Sequence, residues 1–358
     1  MWIKNIKMSN FRNYSFQDIN LKPKVNIFFG ENAQGKTNII ESIFLCSIGK
    51  SFRAKKDFEM IKIDTKEAIV EVDYEKEDRE GKIRIVLSDK KNIYLNDIKI
   101  KKISEMLGKI NIVIFTPDDI EILKGGPQNR RRFLDIMISQ LRPNYLYNLN
   151  LYMQVLEQRN NYLRQIKHEN KPENMLEIWD EKLADYAEKI ANYRNEFIEK
   201  IKEKIKEIHS EITDEREDIR LEYKTECFVK DKYLKILKDR RKLDIIRGYT
   251  TQGIHRDDFL IYLNNKEIQI YGSQGQHRTA ILSLKLSELQ IIHDEIGENP
   301  ILLLDDFMSE LDEKRREKLL KKIKNTQVII TCTDKIDIEN LEYCLYNVSQ
   351  GNVKEIEK

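Results

Sequence analysis

The sequence predicts an α/β fold: a head made of a mixed sheet plus an antiparallel β subdomain, interrupted by an inserted helical arm domain. Three observations predict it. An apolar stretch, VNIFF (25–29), runs directly into GENAQGKT (30–37) and then into the helical pattern NIIESIFLC. A second apolar strand, ILLLDD (301–306), ends in two aspartates. Between them, from about residue 128 to 212, the pattern is helical, rich in Glu, Lys, Arg and Leu, with only Pro143 and Pro172 as breakers.

The 358 residues suffice for one large or two ordinary domains. Charged residues make up 35%, above the roughly 25% of an average domain, and long solvated helices would accommodate them. With 63 basic against 61 acidic side chains the formal charge is +2, so any contact with nucleic acid has to come from local patches. Cys46, Cys227, Cys332 and Cys344 are scattered without a C-x-x-C pair, which argues against a disulfide framework or zinc ribbon and suits a reducing compartment. No apolar run approaches the ~18 residues of a membrane span, and lysines and arginine interrupt the N-terminal MWIKNIKMSNFRNY, unlike a signal peptide. A cytoplasmic chain with no membrane segment is expected.

In chain order, strands are expected around Trp2 to Met8 and Val25 to Phe29. An antiparallel sheet should follow from AIVEVDY, KIRIVL, NIYL and NIVIF (Ala68 to Phe115), with turns at Glu80-Gly81 and Asn96-Asp97. Apolar residues from Met175 through Trp179, Leu183 and Ile190 to Ile212 recur every three or four positions, predicting one long amphipathic helix. A similar stripe from Leu149 to Ile166 precedes it, and Asn170-Lys171-Pro172 reverses the chain between them, which gives an antiparallel arm. Strand signals return at 219–226 and 259–271, the latter a hairpin around Asn264-Asn265. A helix (276–293), a strand (300–304), a helix (312–324) and a strand (327–331) complete an α/β alternation. The expected division is 1–120 for the first half of the head, 121–245 for the helical arm, and 246–358 for the returning half.

GENAQGKT matches G-x-x-x-x-G-K-[ST] in the strand–loop–helix context that a phosphate-binding loop requires. Gly30, Glu31, Asn32, Ala33, Gln34 and Gly35 supply backbone amides to wrap the phosphates, aided by the helix N-terminus. Lys36 reaches the β- and γ-phosphates, and the Thr37 hydroxyl is a ligand for Mg²⁺. Of the two aspartates, Asp305 is expected on the metal and Asp306 beside the attacking water as the catalytic acid–base group. About 270 residues separate Lys36 from Asp305, where one βαβ unit needs roughly 30. That gap disfavours a compact kinase and favours an ATPase head split by an arm.

YGSQGQHRT (271–279) opens another helix with small residues, an anion-site pattern that a plain helix cap would also explain. Beside a split P-loop head it resembles the signature motif of ABC-type ATPases. Taken with NFRNY (10–14), FTPDDIEILKGGPQNRRRFLD (115–135), HRDDF (255–259) and LLLDDFMSELD (302–312), the chain resembles the RecF family, relatives of the SMC-type ABC ATPases, over essentially its full length. The resemblance implies an ABC-type P-loop ATPase head and adds Arg12 to the ATP contacts. It further implies that Ser273, Gln274, Gly275 and Gln276 contact ATP bound to a second copy of the chain in an ATP-dependent homodimer, with Ser309, Glu310, Leu311 and Asp312 as the D-loop. It implies binding to gapped or junction DNA, partnership with RecR, and help in loading RecA during replication and SOS repair. An SMC-like structural ATPase that bridges DNA is the alternative reading. A transporter ATPase is disfavoured by the inserted arm.

Against the wider ABC pattern, Asp306 stands where a glutamate is usual, threonines (Thr331, Thr333) stand near the switch-histidine position, and no glutamine follows NIVIF. These departures predict slow hydrolysis, with ATP acting as clamp and timer. Candidate DNA contacts are Arg53, Lys55 and Lys56 after the P-loop helix and Arg130, Arg131 and Arg132 at the start of the arm, with Arg240 to Lys242 as a third basic cluster. Each could equally be a solvated face, and Arg130 to Arg132 could pair with Asp118, Asp119 and Glu121.

Overall fold

The computed structural model describes residues 1–77, 79–323, 325–335 and 342–356, with only the backbone of Ser309, Glu310, Lys314 and Lys321. The strands are β1 (Trp2–Phe11), β2 (Tyr14–Asn20), β3 (Val25–Phe29), β4 (Ala68–Lys76), β5 (Arg79–Leu87), β6 (Asn92–Leu95), β7 (Ile98–Ile100) and β8 (Ile112–Phe115), then β9 (Ile219–Lys224), β10 (Asp258–Leu263), β11 (Lys266–Glu267), β12 (Ile301–Asp305), β13 (Val328–Cys332), β14 (Tyr343–Ser349) and β15 (Asn352–Ile356). The helices are α1 (Lys36–Ile48), α2 (Ile120–Lys124), α3 (Pro127–Leu141), α4 (Pro143–Glu169), α5 (Leu176–Thr213), α6 (Lys230–Arg247), α7 (Ile268–Tyr271), α8 (Gln274–Ile296) and α9 (Glu313–Lys322). They divide into two compact units, one of Met1–Asp119 with Ile281–Lys358 and one of Ile120–Ala280. The first boundary falls beside the expected one. The second lies well beyond residue 245, so residues 246–280 pack with the helices rather than with the returning half of the head.

The first unit holds two six-stranded sheets. One is antiparallel, in the order β2-β1-β4-β5-β6-β7; the other runs β15-β14-β3-β13-β12-β8, parallel from β14 through β8. Strands β3, β8, β12 and β13 are buried at every position, which is why they read as unbroken apolar runs instead of alternating ones. NIVIF, expected in the antiparallel sheet, instead pairs in parallel with β12. The Asn96-Asp97 turn forms with both residues at positive φ, as a two-residue hairpin demands. Glu80-Gly81 is not a turn: both residues are paired within the ladder, Glu80 with Glu75 and Gly81 with Tyr74, and the pairing continues to Lys76 with Arg79. Gly81 instead lies opposite Tyr74, and a Cβ there would meet the tyrosine ring at 2.3 Å.

In the second unit α4 and α5 form the expected antiparallel pair. Asn170, in the left-handed region at φ 52°, ends α4, and the residues up to Pro172 lead away from it. The α5 helix is packed along its length, from Leu176 to Ile212, and its buried stripe includes Asp180 and Arg194 among the aliphatics, whereas Met175 is exposed. The arm is therefore one wall of a packed lobe with its own core. Helix α6 and a three-stranded sheet, β11-β10-β9, complete it, with the β10–β11 turn at Asn264-Asn265 as expected.

Two buried arginines tie this lobe together. Arg159, fully buried on α4, donates from Nε to Asp180 (2.7 Å) and from Nη1 to Asp244 (2.7 Å) and the Thr250 hydroxyl (2.8 Å). Arg194 on α5 reaches Asp135 (2.9 Å), the Tyr145 hydroxyl (2.9 Å) and the Ile254 carbonyl (2.8 Å), beside Asp257. Thus HRDDF is a structural corner. His255 lies between the Tyr152 hydroxyl, 2.8 Å from Nδ1, and the Thr250 carbonyl, 3.1 Å from Nε2. A carbonyl only accepts, so Nε2 carries the proton and Nδ1 accepts from Tyr152. Burial, with Arg256 and Arg131 nearby, outweighs the Thr250 contact and pushes His255 down to about 4.

Replacing Arg159 by Met leaves Asp180 and Asp244 buried without their counter-charge and should destabilise the helical lobe by about 3–5 kcal/mol. Urea unfolding followed by Trp179 fluorescence in a Trp2→Phe background measures this, and a loss under 1 kcal/mol would contradict it. Because His255 titrates lower folded than unfolded, its stabilising share is complete above about pH 6.5 and is lost as the pH falls toward 4, on the order of 3 kcal/mol. In His255→Gln that part of the pH dependence should flatten, as the same unfolding series at several pH values will report.

Candidate functional site

Strand β3 delivers the chain at Gly30 into a loop that closes on α1. Gly30 has φ 154°, and a Cβ there would strike the Val348 carbonyl at 2.2 Å, so glycine is required by close backbone approach. Gly35 is left-handed at φ 114° and caps α1, with Asn13 and Tyr14 where its side chain would be. Glu31, Asn32 and Ala33 are exposed, while Lys36 is buried and donates Nζ to the carbonyls of Gly30 (2.7 Å) and Glu31 (2.8 Å). The ammonium is thereby folded over the loop with its charge directed into the cradle.

Turns on two sides brace this loop. From the β1–β2 turn, Asn13 donates Nδ2 to the Gln34 carbonyl (2.8 Å) and accepts from Asn38 (2.8 Å), and the Tyr14 hydroxyl donates to the Gly35 carbonyl (3.0 Å). From the β14–β15 turn, the Gln350 amide donates to Gln34 Oε1 (2.6 Å). The two turns hold Gln34 between them.

Beneath the loop, Glu41 of α1 is fully buried. It accepts Nε (2.8 Å) and Nη2 (2.6 Å) of Arg12, Nη2 of Arg53 (2.7 Å), and the Ser51 hydroxyl. Burial alone would raise this carboxyl; Arg12, Ser51 and Arg53 together hold it below its usual range. Arg12 also donates to the Glu59 carbonyl (2.6 Å), and Arg53 to Asn38 Oδ1 (2.6 Å). Both arginines thus belong to the framework of the P-loop helix. The sequence signal for Glu41 was a lone carboxylate in the apolar run NIIESIF, which has to be paired if that face is buried.

Asp305 closes the site from β12. Its Oδ1 accepts the hydroxyls of Thr37 (2.9 Å) and Thr331 (2.8 Å). Burial raises its carboxyl above the ordinary value against those hydrogen bonds, with Asp306 adding to the rise and Arg53 opposing it. A hydroxyl and a carboxylate in contact are hard oxygen donors, the set Mg²⁺ takes when phosphates supply the rest, so the residues fit that ion. Among the described residues no group of three or more His, Cys, Asp or Glu side chains is arranged to hold a metal ion. Asp306 follows in the left-handed region at φ 50°. Beyond it Leu311 is buried and the exposed Asp312 caps α9 by accepting the Arg315 amide (2.9 Å); the side chains of Ser309 and Glu310 lie outside the described residues.

In the second unit, Ser273, Gln274 and Gly275 are exposed at the start of α8. Ser273 Oγ accepts the Gln276 amide (3.2 Å) and Gln276 Oε1 accepts the Ser273 amide (2.9 Å), a reciprocal cap. Glu217 takes Gln276 Nε2 at 2.8 Å and fixes that side chain. Nothing lies within 4 Å of where a Gly275 Cβ would stand, so no packing within the chain demands glycine there. The clear space is on the outside.

Of the expected DNA contacts, Lys55 and Lys56 are exposed. Arg130 is corrected: it is buried, pairs bidentately with Asp258 (2.6 and 2.9 Å) and caps the carbonyls of Ile122 and Gly125, so it is a core residue of the lobe. Its partner is Asp258 and not Asp118, Asp119 or Glu121. Arg131 is half-buried with Nη1 on the Asp257 carbonyl (2.6 Å), and Arg132 is exposed. Arg241 of the third cluster binds Asp180 (3.1 Å).

The sequence profile of the RecF/RecN/SMC N terminal domain matches residues 2–355. The DNA replication and repair protein RecF of Acetivibrio thermocellus is 43% identical over 354 residues, covering 96% of each chain. A solved structure of the recombination mediator protein RecF with ATP, from the RecFOR pathway, superimposes with a TM-score of 0.93 at 40% identity, over 99% of this chain and 98% of that one. An Smc head bound to the C-terminal winged-helix domain of ScpA aligns over 99% of this chain with a TM-score of 0.60 at 16% identity, which is a likeness of fold.

Glu41→Gln removes the charge that holds two guanidinium groups under the P-loop and should lower stability by about 2–4 kcal/mol at pH 7. Thermal unfolding checks it, and an unchanged midpoint would mean that Arg12 and Arg53 find other partners.

Proposed function

On the premise that this chain belongs to the RecF/RecN/SMC family, among its RecF members, we propose that it is an ATP-dependent DNA-binding mediator of recombination and repair. The observation that carries this reading is the contact between Thr37 and Asp305, which joins the two ends of the chain into one nucleotide site. The loop amides of residues 30–35 and Lys36 bind the triphosphate, while Thr37 and Asp305 hold Mg²⁺, which would screen phosphate charge and orient the γ-phosphate. Asp306 positions or deprotonates the attacking water; its shorter reach than glutamate, and Thr333 rather than a histidine near the switch position, favour slow turnover that DNA stimulates. Arg12 and Arg53 act through Glu41 to hold the P-loop helix.

The exposed cap at Ser273, Gln274 and Gly275, with its open outer face, binds ATP held by a second copy of the chain, so nucleotide drives a homodimer. Leu311 and Asp312, with Ser309 and Glu310, flank that interface as the D-loop. The dimer clamps DNA at gaps and single-strand to double-strand junctions in the cytoplasm, through phosphate contacts from exposed residues such as Lys55, Lys56 and Arg132. RecR and RecA loading are the pathway context. No described helix is long and apolar enough to cross a membrane. The bridging alternative needs a long free arm, whereas the 38-residue α5 spans only ~57 Å and is buried along one face.

Anisotropy of a labelled gapped duplex, with ATP and Mg²⁺ or with ADP, tests this reading. ATP should tighten binding, and raising salt should weaken it steeply. Lys36→Ala should abolish nucleotide binding, whereas Ser273→Arg should keep it and lose the dimer in sedimentation. Equal loss of ATP affinity in both variants, or DNA binding indifferent to nucleotide, would sink the proposal.

A further inference from the structure

Thr331 is a polar residue in the middle of the head's parallel sheet. Strand β13 runs between β3, which carries the P-loop, and β12, which carries Asp305, and all five of its residues are buried. Its other members are Val328, Ile329, Ile330 and Cys332. Valine has the same branched shape and would pack there without a polar atom to satisfy, so sheet stability does not select threonine. A buried hydroxyl is tolerated only when it is hydrogen-bonded, and this one is bonded in both senses.

The Thr331 hydroxyl donates to Asp305 Oδ1 (2.8 Å) and accepts the backbone amide of Asp306 (3.0 Å). Parallel pairing of Asp305 with Thr331 places them side by side. The two contacts have different consequences. The first fixes the carboxylate rotamer, turning Oδ1 toward the hydroxyl of Thr37, which shares the same oxygen. The second anchors the peptide that turns Asp306 into the left-handed region at φ 50°, a conformation that costs a non-glycine residue on the order of 1 kcal/mol or more and persists where surroundings impose it.

We propose that Thr331 is a positioning residue for hydrolysis: one hydroxyl sets Asp305 through its side chain and Asp306 through its backbone, aligning the metal-side acid with the water-side acid. The inference rests on the ATPase reading above and adds a third strand to that machinery. Thr331 is itself fully buried and acts through the two aspartates.

The test compares wild type with T331V, T331A and T331S in the full chain, each checked by far-UV circular dichroism. Equilibrium binding of a non-hydrolysable ATP analogue is measured with and without Mg²⁺, and hydrolysis is followed in single turnover. Since the P-loop is untouched, affinity without Mg²⁺ should stay within about twofold of wild type. The gain in affinity that Mg²⁺ brings should shrink in T331V and T331A. Their single-turnover rate should fall on the order of 10- to 100-fold, the scale of a small misplacement of reacting groups. T331S, which restores the hydroxyl, should recover most of both. T331A covers the case in which the extra methyl of valine disturbs the fold. Wild-type rates in T331V and T331A, or a T331S as defective as they are, would overturn the role of Thr331 alone. A wild-type chain that binds no nucleotide would overturn the reading beneath it as well.

Discussion

One hydrogen bond, from the Thr37 hydroxyl to Asp305, imposes most of the architecture of the first unit. Its partners are 268 residues apart, so the chain has to leave the sheet after β8, build a separate lobe, and return to lay β12 against β8. The returning strands enter on both sides of β3 rather than at one edge: β13 and β12 on one side, β14 and β15 on the other. The P-loop strand is therefore central, and its loop is contacted by residues from both termini. A site assembled this way exists only when the whole unit is folded, and its loop-closure cost is met by fully buried parallel strands.

That arrangement explains which parts were legible. VNIFF, GENAQGKT and ILLLDD each carry a local signal, because a buried parallel strand is a short apolar run and a phosphate loop needs glycine at fixed positions. The long helix was legible from its period, and both Asn-containing hairpins from their turn chemistry. NIVIF was legible as a strand but not as a member of the parallel sheet, since an apolar run does not name its neighbour. Strand β2 and strands β14 and β15 give mixed polar patterns at half-exposed positions, and α6 is so strongly charged that its thin buried stripe of Tyr233, Leu237 and Asp244 is hidden. In the site, the supporting residues were the ones missed. Asn13, Tyr14 and Gln350 act between turns, with partners from 21 to 316 residues away that nothing in their immediate sequence advertises. Thr331, noted only for standing near the switch-histidine position, gave no sign of its bond to Asp305 on the neighbouring strand.

The high charged fraction also divides differently from the expected picture of solvated helices. Part of it is internal. Arg159 and Arg194 are almost fully buried on facing helices, each with aspartates from separate elements, and Arg130 joins α3 to β10 in the same manner. Replacing such pairs by apolar residues is often neutral or stabilising, so their value here is better sought in register than in net stability. Arg159 meets Asp180 and Asp244 only at one alignment of α4, α5 and α6. In a lobe whose helices otherwise present interchangeable aliphatic stripes, that is a reason for the helices to stop sliding.

The same logic of shared charge governs the nucleotide site. Glu41 neutralises one of the two guanidinium groups it binds, so Arg12 and Arg53 leave about one positive charge under the first turns of α1. Lys36 adds another above the loop, and the N-terminus of α1 contributes its partial charge. Opposing them are Asp305 and Asp306 at the end of β12. Arg53 already lowers the cost of ionising Asp305, while Asp306 raises it. The cradle is thus positive where phosphates would lie and negative only at its metal edge. A triphosphate alone would be repelled by that edge, and Mg²⁺ alone would find just one hydroxyl and one carboxylate in contact. On the proposed reading each would make the other's site favourable, so that the geometry would select the nucleotide and the metal together.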